Sequence, residues 1–267
     1  MNPDFTERRH FMNVQTVYNV IHSVAPFDTQ MESDNSGLLV GSPRQEVTRI
    51  LFALDVTETV IDEAVSIGAE LIVSHHPLMF SPIRSLTDED YEGRLLRRLC
   101  RENISLIAAH TNLDRAPGGI NDTLAALCGL SEVSGEGFFR SGNLPGDMTA
   151  RYYADLLAES LETTVRILGP EDRIIRRVGL CSGSGGDEWT RALENDCDAF
   201  VSGEIRHHHA LAMVDAGIIG LECGHFATEE PGIAALAEAL QNAFNHVECN
   251  VRVFVSAVPA YTIPRTP

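Results

Sequence analysis

The sequence lacks any apolar run approaching the roughly 18 consecutive residues that a membrane span needs. Segments such as Ile50 to Leu54 and Leu71 to Val73 break off after a few positions. Its six cysteines, Cys100, Cys128, Cys181, Cys197, Cys223 and Cys249, include no Cys-x-x-Cys pair and sit mostly in apolar surroundings. Reduced, buried thiols in a cytoplasmic protein are therefore expected, with neither a redox motif nor a disulfide framework. Arg8, Arg9 and His10 precede an apolar stretch, but Asn13, Gln15 and Asn19 interrupt it and no small-residue cleavage pattern follows, so no secretion signal is expected. Internal repeats and low-complexity tracts are absent. Basic charge is scarce: 20 Lys and Arg stand against 38 Asp and Glu, a formal charge of −18. Such a surface repels phosphate backbones, so nucleic acid is not expected as a partner, nor, without a spanning run, is a membrane; the acidity suits the collection of cations. Neither His-Glu-x-x-His nor Pro-Cys-x-x-Cys occurs, which argues against a mononuclear zinc protease or deaminase.

What is present is a chain of 267 residues, 44% hydrophobic and 22% charged, long enough for one large core or two lobes. Short apolar runs alternate with amphipathic stretches. Val14 to Val24 reads as a helix and Arg49 to Leu54 as a strand ended by Asp55. Thr57 or Thr59 can cap a helix that Gly68 stops, ahead of a strand from Glu70 to Ser74. A helix from Tyr91 to Glu102, stopped by Asn103, leads to the strand Ile104 to Ala109 and repeats the β-α-β plan, which implies parallel strands. The Gly- and Ser-rich segment Ser131 to Gly146 has little periodicity and is taken as the join. The expected fold class is α/β: two α/β lobes, residues 1–130 and 131–267, with mainly parallel or mixed sheets and a metal site at strand carboxyl ends between the lobes. The last helix and strand are expected to pack back on the first lobe.

Three segments carry chemistry. Leu71-Ile-Val-Ser-His75-His76-Pro77 sets two imidazoles at the carboxyl end of a strand, where open α/β sheets bind ligands. Adjacent residues of an extended chain point to opposite faces, so both serve one site only if the chain turns or two metals are shared. Ala108-Ala-His110-Thr-Asn-Leu-Asp114 repeats the strand-end arrangement, although Asp114 by itself also reads as a turn or capping residue. In Glu222-Cys-Gly224-His225-Phe-Ala-Thr228-Glu229-Glu230-Pro231, Thr228 reads as an N-cap and Pro231 as a first-turn residue. Either glutamate alone could simply answer the helix dipole, but His225 four residues earlier gives Glu229 a ligand role. Imidazole nitrogen and carboxylate oxygen without thiolate suit zinc, iron, manganese or cobalt, and His75, His76, Asp114, His225 and Glu229 exceed one tetrahedral site. Two ions bridged by a carboxylate satisfy the count.

Ile72-Val-Ser-His-His-Pro, Ala109-His-Thr-Asn-Leu-Asp and Gly224-His-Phe-Ala-Thr-Glu resemble the three signatures of the Nif-three-like family of dinuclear metal centre proteins, many of them named GTP cyclohydrolase I type 2 homologues. The resemblance runs from Asp34-Asn35 to near Leu240, in the family's order and spacing. It implies His76 and Asp114 on one ion, His75 and His225 on the other, and Glu229 bridging, with His110 close by. It further implies two divalent ions per chain (zinc, iron or manganese), a small-molecule substrate of which a nucleotide is the candidate, and a toroidal homohexamer built as a trimer of dimers. Ser33 stands where the family often has Trp before its Asp-Asn-x-Gly-Leu motif, and the insertion domain of some members is absent, both of which bear on substrate recognition.

On this reading the chain is a metal-dependent hydrolase, with Glu229 and His110 as its catalytic groups, His110 moving protons. A non-enzymatic metal-stabilised scaffold or regulatory interaction protein is the rival. Two further features carry less. Ile205-Arg-His207-His208-His209 looks like a metal cluster, but on a helix consecutive side chains diverge by about 100° and cannot all converge. Cys181-Ser-Gly-Ser-Gly-Gly-Asp187 lacks the Lys-Ser/Thr of a phosphate loop and reads as a tight strand-to-helix turn.

Overall fold

The computed structural model describes residues 12–246, 250–256 and 258, which leaves Cys249 outside the described residues. The described residues divide into two compact units, the first made of 12–27, 33–110 and those from 236 onward, the second of 28–32 and 111–235. Each is an α/β body.

The first unit is built on a five-stranded sheet in the order Arg252–Val255, Arg49–Ala53, Leu71–Ser74, Ser105–Ala108, Gly37–Val40. The first four strands are parallel and Gly37–Val40 closes the edge antiparallel. Every residue of Leu71–Ser74 and Ser105–Ala108 is buried, as expected of parallel strands covered on both faces. The helix Glu58–Ile67 starts where Thr57 Oγ1 accepts the Val60 amide at 3.2 Å and buries Val60, Ile61 and Ala64. It stops at Gly68, whose φ of 68° is the left-handed conformation that glycine adopts without penalty. Tyr91–Glu102 begins under the Asp90 cap, buries Leu95, Leu96 and Leu99, and ends at Asn103, also left-handed. These helices share one core with Leu51, Ile72 and Leu106 of the sheet.

In the second unit Ile174–Cys181, Ala199–Ser202 and Ile219–Glu222 form a parallel centre. Arg140–Thr149 flanks it antiparallel on one side, paired onward to Ser131–Ser134, and Arg166–Leu168 on the other. The segment 131–146, irregular by sequence, is thus largely strand: long-range pairing with Ile174–Cys181 supplies hydrogen bonds that local propensity does not reveal. Thr149 caps the helix Ala150–Ser160, whose Tyr153 is buried and donates its hydroxyl to the Cys128 carbonyl at 2.9 Å.

Register is what positions chemistry. Ala53 pairs with Ser74 and Ser74 with Ala108, so the residues that follow, Leu54-Asp55, His75-His76 and Ala109-His110, leave the first sheet along one edge. Cys181, Ser202 and Glu222 are aligned in the same way in the second sheet, which sends out Ser182-Gly183, Gly203-Glu204 and Cys223-Gly224-His225 together. No helix among the described residues is long and apolar enough to cross a membrane.

Candidate metal centre

In the first unit one ring nitrogen from each of His75, His76 and His110 lies within 4.8 Å of the other two. The ring centroids of His75 and His76 are 5.0 Å apart, although the residues are neighbours in sequence. The strand ends at Ser74, and the amides of both His75 and His76 then bond to the same neighbouring segment, at the carbonyls of Ala53 and Leu54. An extended strand offers a neighbour only alternate amides, so the chain has turned, and both imidazoles serve one side.

Each ring is held by its Nδ1. That of His75, wholly buried, is 2.8 Å from the Ala109 carbonyl oxygen; that of His76 is 2.8 Å from Asp55 Oδ1; that of His110 is 2.8 Å from Asp34 Oδ1. Because a carbonyl or carboxylate oxygen can only accept, Nδ1 is the donor in each contact, which in the neutral ring leaves the lone pair on Nε2. Oxygen anchors of this kind orient metal-binding histidines and raise their basicity. Asp34 is itself fixed, receiving the Asn35 amide at 2.8 Å and the Ser36 hydroxyl at 3.1 Å.

The second unit gathers Asp114, His225 and Glu229. Asp114 lies on the short helix Thr111–Arg115, which sequence periodicity did not mark, and Asn121 holds its backbone carbonyl at 3.1 Å. A carboxylate oxygen of Asp114 lies within 4.8 Å of one from Glu229, and both residues are buried. The helix expected to begin under Thr228 in fact starts at His225 and runs to His246, with Pro231 inside it. Thr228 is no N-cap: its hydroxyl turns back to the carbonyls of Gly224 and His225, at 3.1 and 2.9 Å. Helix geometry then sets His225 and Glu229 one turn apart on one face, with Nε2 of His225 2.9 Å from Oε2 of Glu229. Nδ1 of His225 meets Glu204 Oε1 at 2.9 Å. The one ring thus lies within hydrogen-bond distance of two carboxylates, one through each nitrogen.

The glycine-rich turn after Cys181 is where the backbone must come close to the ligands. Gly183 has φ +54°, and a Cβ there would collide with Glu229 Oε1 and approach His225 Nε2. Three of its amides are committed within the protein, Gly183 to Thr228 Oγ1 at 3.0 Å, Ser182 to Asn121 Oδ1 at 2.8 Å and Gly185 to the Ser182 carbonyl at 3.0 Å, as in a packed strand-to-helix turn. Burial pushes the Cys181 thiol well above its ordinary range, and Asp114, Glu188, Asp187 and Glu229 push the same way. Glu230 points elsewhere: burial and the nearby Glu162 carboxylate raise its carboxyl. Among the described residues, His207, His208 and His209 belong to no cluster of three metal donors. Asp34, Asp55 and Glu204 are the partners that sequence reading missed or took for turn, strand-end and unassigned residues. Asp55 and Glu204 lie at the same carboxyl edges as the histidines they hold, a position that does not by itself distinguish an anchor from a residue that ends a strand.

A family model described as Duf34/NIF3 (NGG1p interacting factor 3) matches residues 12–260. The chain belongs to this family. Among NIF3 relatives, a Clostridium perfringens protein named GTP cyclohydrolase 1 type 2 homolog is 34% identical over 240 residues, 86% of this chain and 92% of that one. A Helicobacter pylori protein named GTP cyclohydrolase 1 type 2 is 28% identical, over 88% of this chain and 93% of its own. A solved Staphylococcus aureus structure superposes with a TM-score of 0.91 at 28% identity, covering 96% of this NIF3 chain and 99% of the other. The donor set of nitrogen and oxygen without thiolate fits divalent ions of the zinc, iron or manganese type.

Proposed function

We propose that this NIF3 protein is a dinuclear metal-dependent hydrolase. His76 and Asp114 would hold one ion, His75 and His225 the other, with Glu229 bridging, and zinc, iron or manganese as the metal. The observation that carries the reading is the anchoring of Nδ1 on all four histidines by Ala109, Asp55, Asp34 and Glu204, which dedicates Nε2 to ligation or proton transfer.

A divalent pair supplies Lewis acidity and a water that ionises near neutral pH. His110 takes the proton of the attacking water on Nε2, while Asp34 stabilises the imidazolium through Nδ1 and keeps the ring from rotating. His110 then returns that proton to the leaving group, so the bond broken in the substrate is closed by the elements of water. Glu229, buried beside Gly183, would contribute negative charge there. The names carried by the Clostridium and Helicobacter relatives favour a guanine nucleotide as substrate; the family resemblance implies a homohexamer, and reduced, buried thiols suit a cytoplasmic setting.

Metal-loaded protein assayed against nucleotides, phosphoesters and small amides tests the reading, with Glu229→Ala as control. Turnover lost in the variant supports the hydrolase. Two bound ions with no turnover on any class refutes it and favours a metal-stabilised scaffold.

A further inference from the structure

The loop that follows His76 carries an aromatic ring that nothing in the packing explains. Pro77 and Leu78 are buried, and Leu78 joins the core beneath the sheet. The Met79 carbonyl is then held by the Asn35 side chain at 2.7 Å, next to the Asp34 that holds His110. Phe80, the next residue, is 57% exposed. It is therefore set on a pinned backbone and turned outward.

Exposed apolar side chains are common when scattered, and Ile83 and Leu86 further along this loop are examples. Phe80 differs because it meets the histidine cluster. Its ring lies 5.7 Å from that of His110 at 82°, and His110 lies 5.1 Å from His75 and 5.5 Å from His76. In a perpendicular contact one ring offers only an edge to the other, so His110 does not cover both faces of Phe80. An accessible aromatic face on a fixed backbone beside the cluster is what a planar ring needs in order to stack.

We propose that Phe80 is a stacking platform for the heteroaromatic base of a nucleotide-class ligand, holding that base beside His110. This rests on the site being the one that takes substrate, and it adds the element that selects a ring over an aliphatic or purely anionic molecule. Recognition by stacking is tolerant of which base is present, so purines and pyrimidines would both bind, the larger purine face more tightly. The acidic chain gains in this way a source of affinity that owes nothing to charge, which a ligand bearing phosphates requires from a protein of formal charge −18.

The test uses the metal-loaded full chain and reads binding, not turnover. Phe80→Trp places a reporter at the platform, and the only native tryptophan, Trp189, is subtracted with the wild-type protein. Guanosine monophosphate is expected to quench the new fluorescence saturably, and ribose 5-phosphate, which has no base, is expected not to. Phe80→Ala should weaken guanosine monophosphate binding by roughly tenfold or more, the loss typical of one base–aromatic stack, with metal content unchanged. Equal affinity in wild type and Phe80→Ala, equal quenching by ribose 5-phosphate, or no saturable nucleotide binding by the wild type would each overturn the proposal. Its fate is separable from that of the hydrolase reading. A protein that stacks the nucleotide but hydrolyses nothing sinks only the latter, and one that hydrolyses the nucleotide with the same KM with and without Phe80 sinks only the former.

Discussion

Removing the Asp55 carboxylate separates a metal-positioning contact from a merely structural one. Asp55 Oδ1 accepts from His76 Nδ1 at 2.8 Å, and the two side chains keep 31% and 17% of their surface exposed. A partly exposed pair of this kind stabilises a fold by under about 1 kcal/mol. In a chain of 267 residues that shifts Tm by roughly 2–4 °C at most. Loss of the partner that orients a ligating histidine costs far more at the metal, about 10- to 100-fold in affinity, or about 1.4–2.7 kcal/mol. Asp55→Ala should therefore bind metal 10- to 100-fold more weakly in a chelator-competition titration while the metal-free protein melts within a few degrees of wild type. Asp55→Asn keeps an oxygen able to accept from Nδ1 and should fall between the two. Metal affinity within twofold of wild type in Asp55→Ala, or a large loss of metal-free stability, would refute the assignment of Asp55 as an anchor for a ligand.

Gly183→Ala should lower metal content more than the substitution's size suggests, because its methyl collides with Glu229 Oε1 and its φ of +54° disfavours alanine; elemental analysis of the purified variant checks this, and full occupancy would contradict it. Asp34→Ala should leave metal content intact yet reduce turnover by about 10²-fold or more, since it removes the group that holds His110; a drop in metal content instead would reassign His110 as a ligand. Burial pushes the thiols of Cys128 and Cys197 up from 9.0 to about 12 and about 11. An acid whose folded pKa is raised contributes stability that is complete below its unfolded value and lost as pH climbs through the folded one, so urea-unfolding free energy should decline between about pH 9 and pH 12, with a shallower decline in Cys128→Ala. For the same reason native alkylation near pH 8 should mark the exposed Cys100 before Cys128, Cys181, Cys197 and Cys223; mass-spectrometric mapping that finds these four labelled equally fast would contradict their burial.

Much of the fold is legible where local signals and long-range packing agree. Thr57, Gly68 and Asn103 act in the structure as the caps and stops that their types announce, because capping is decided within a turn of chain. The short apolar runs became the parallel strands of both sheets, and their carboxyl ends are where the histidines emerge. The strand Arg140–Thr149 was hidden, since its stability comes from pairing with Ile174–Cys181 and not from alternation in its own residues. The start of the helix at His225 was hidden too: Thr228 has the chemistry of a cap, but Gly224, with φ +87°, lets the chain enter the helix four residues earlier, and the threonine bonds backward instead. That shift changes chemistry, because it makes His225 and Glu229 a one-turn pair on a helix face. Of the candidate centre, the emergence of His75, His76 and His110 at strand carboxyl ends was legible from the apolar runs that precede them. The anchors Asp34, Asp55 and Glu204 were not, since an aspartate after a strand looks the same whether it ends the strand or holds a ring.

The central claim is that His75, His76, Asp114, His225 and Glu229 share two cations. Crystals grown with zinc and measured at the zinc absorption edge test it most directly. Two anomalous peaks per chain, one about 2.0–2.1 Å from a nitrogen of His75 and the other at that distance from His76, with Glu229 touching both, is the result the account expects. A single peak, or two peaks of which neither contacts Glu229, would contradict it.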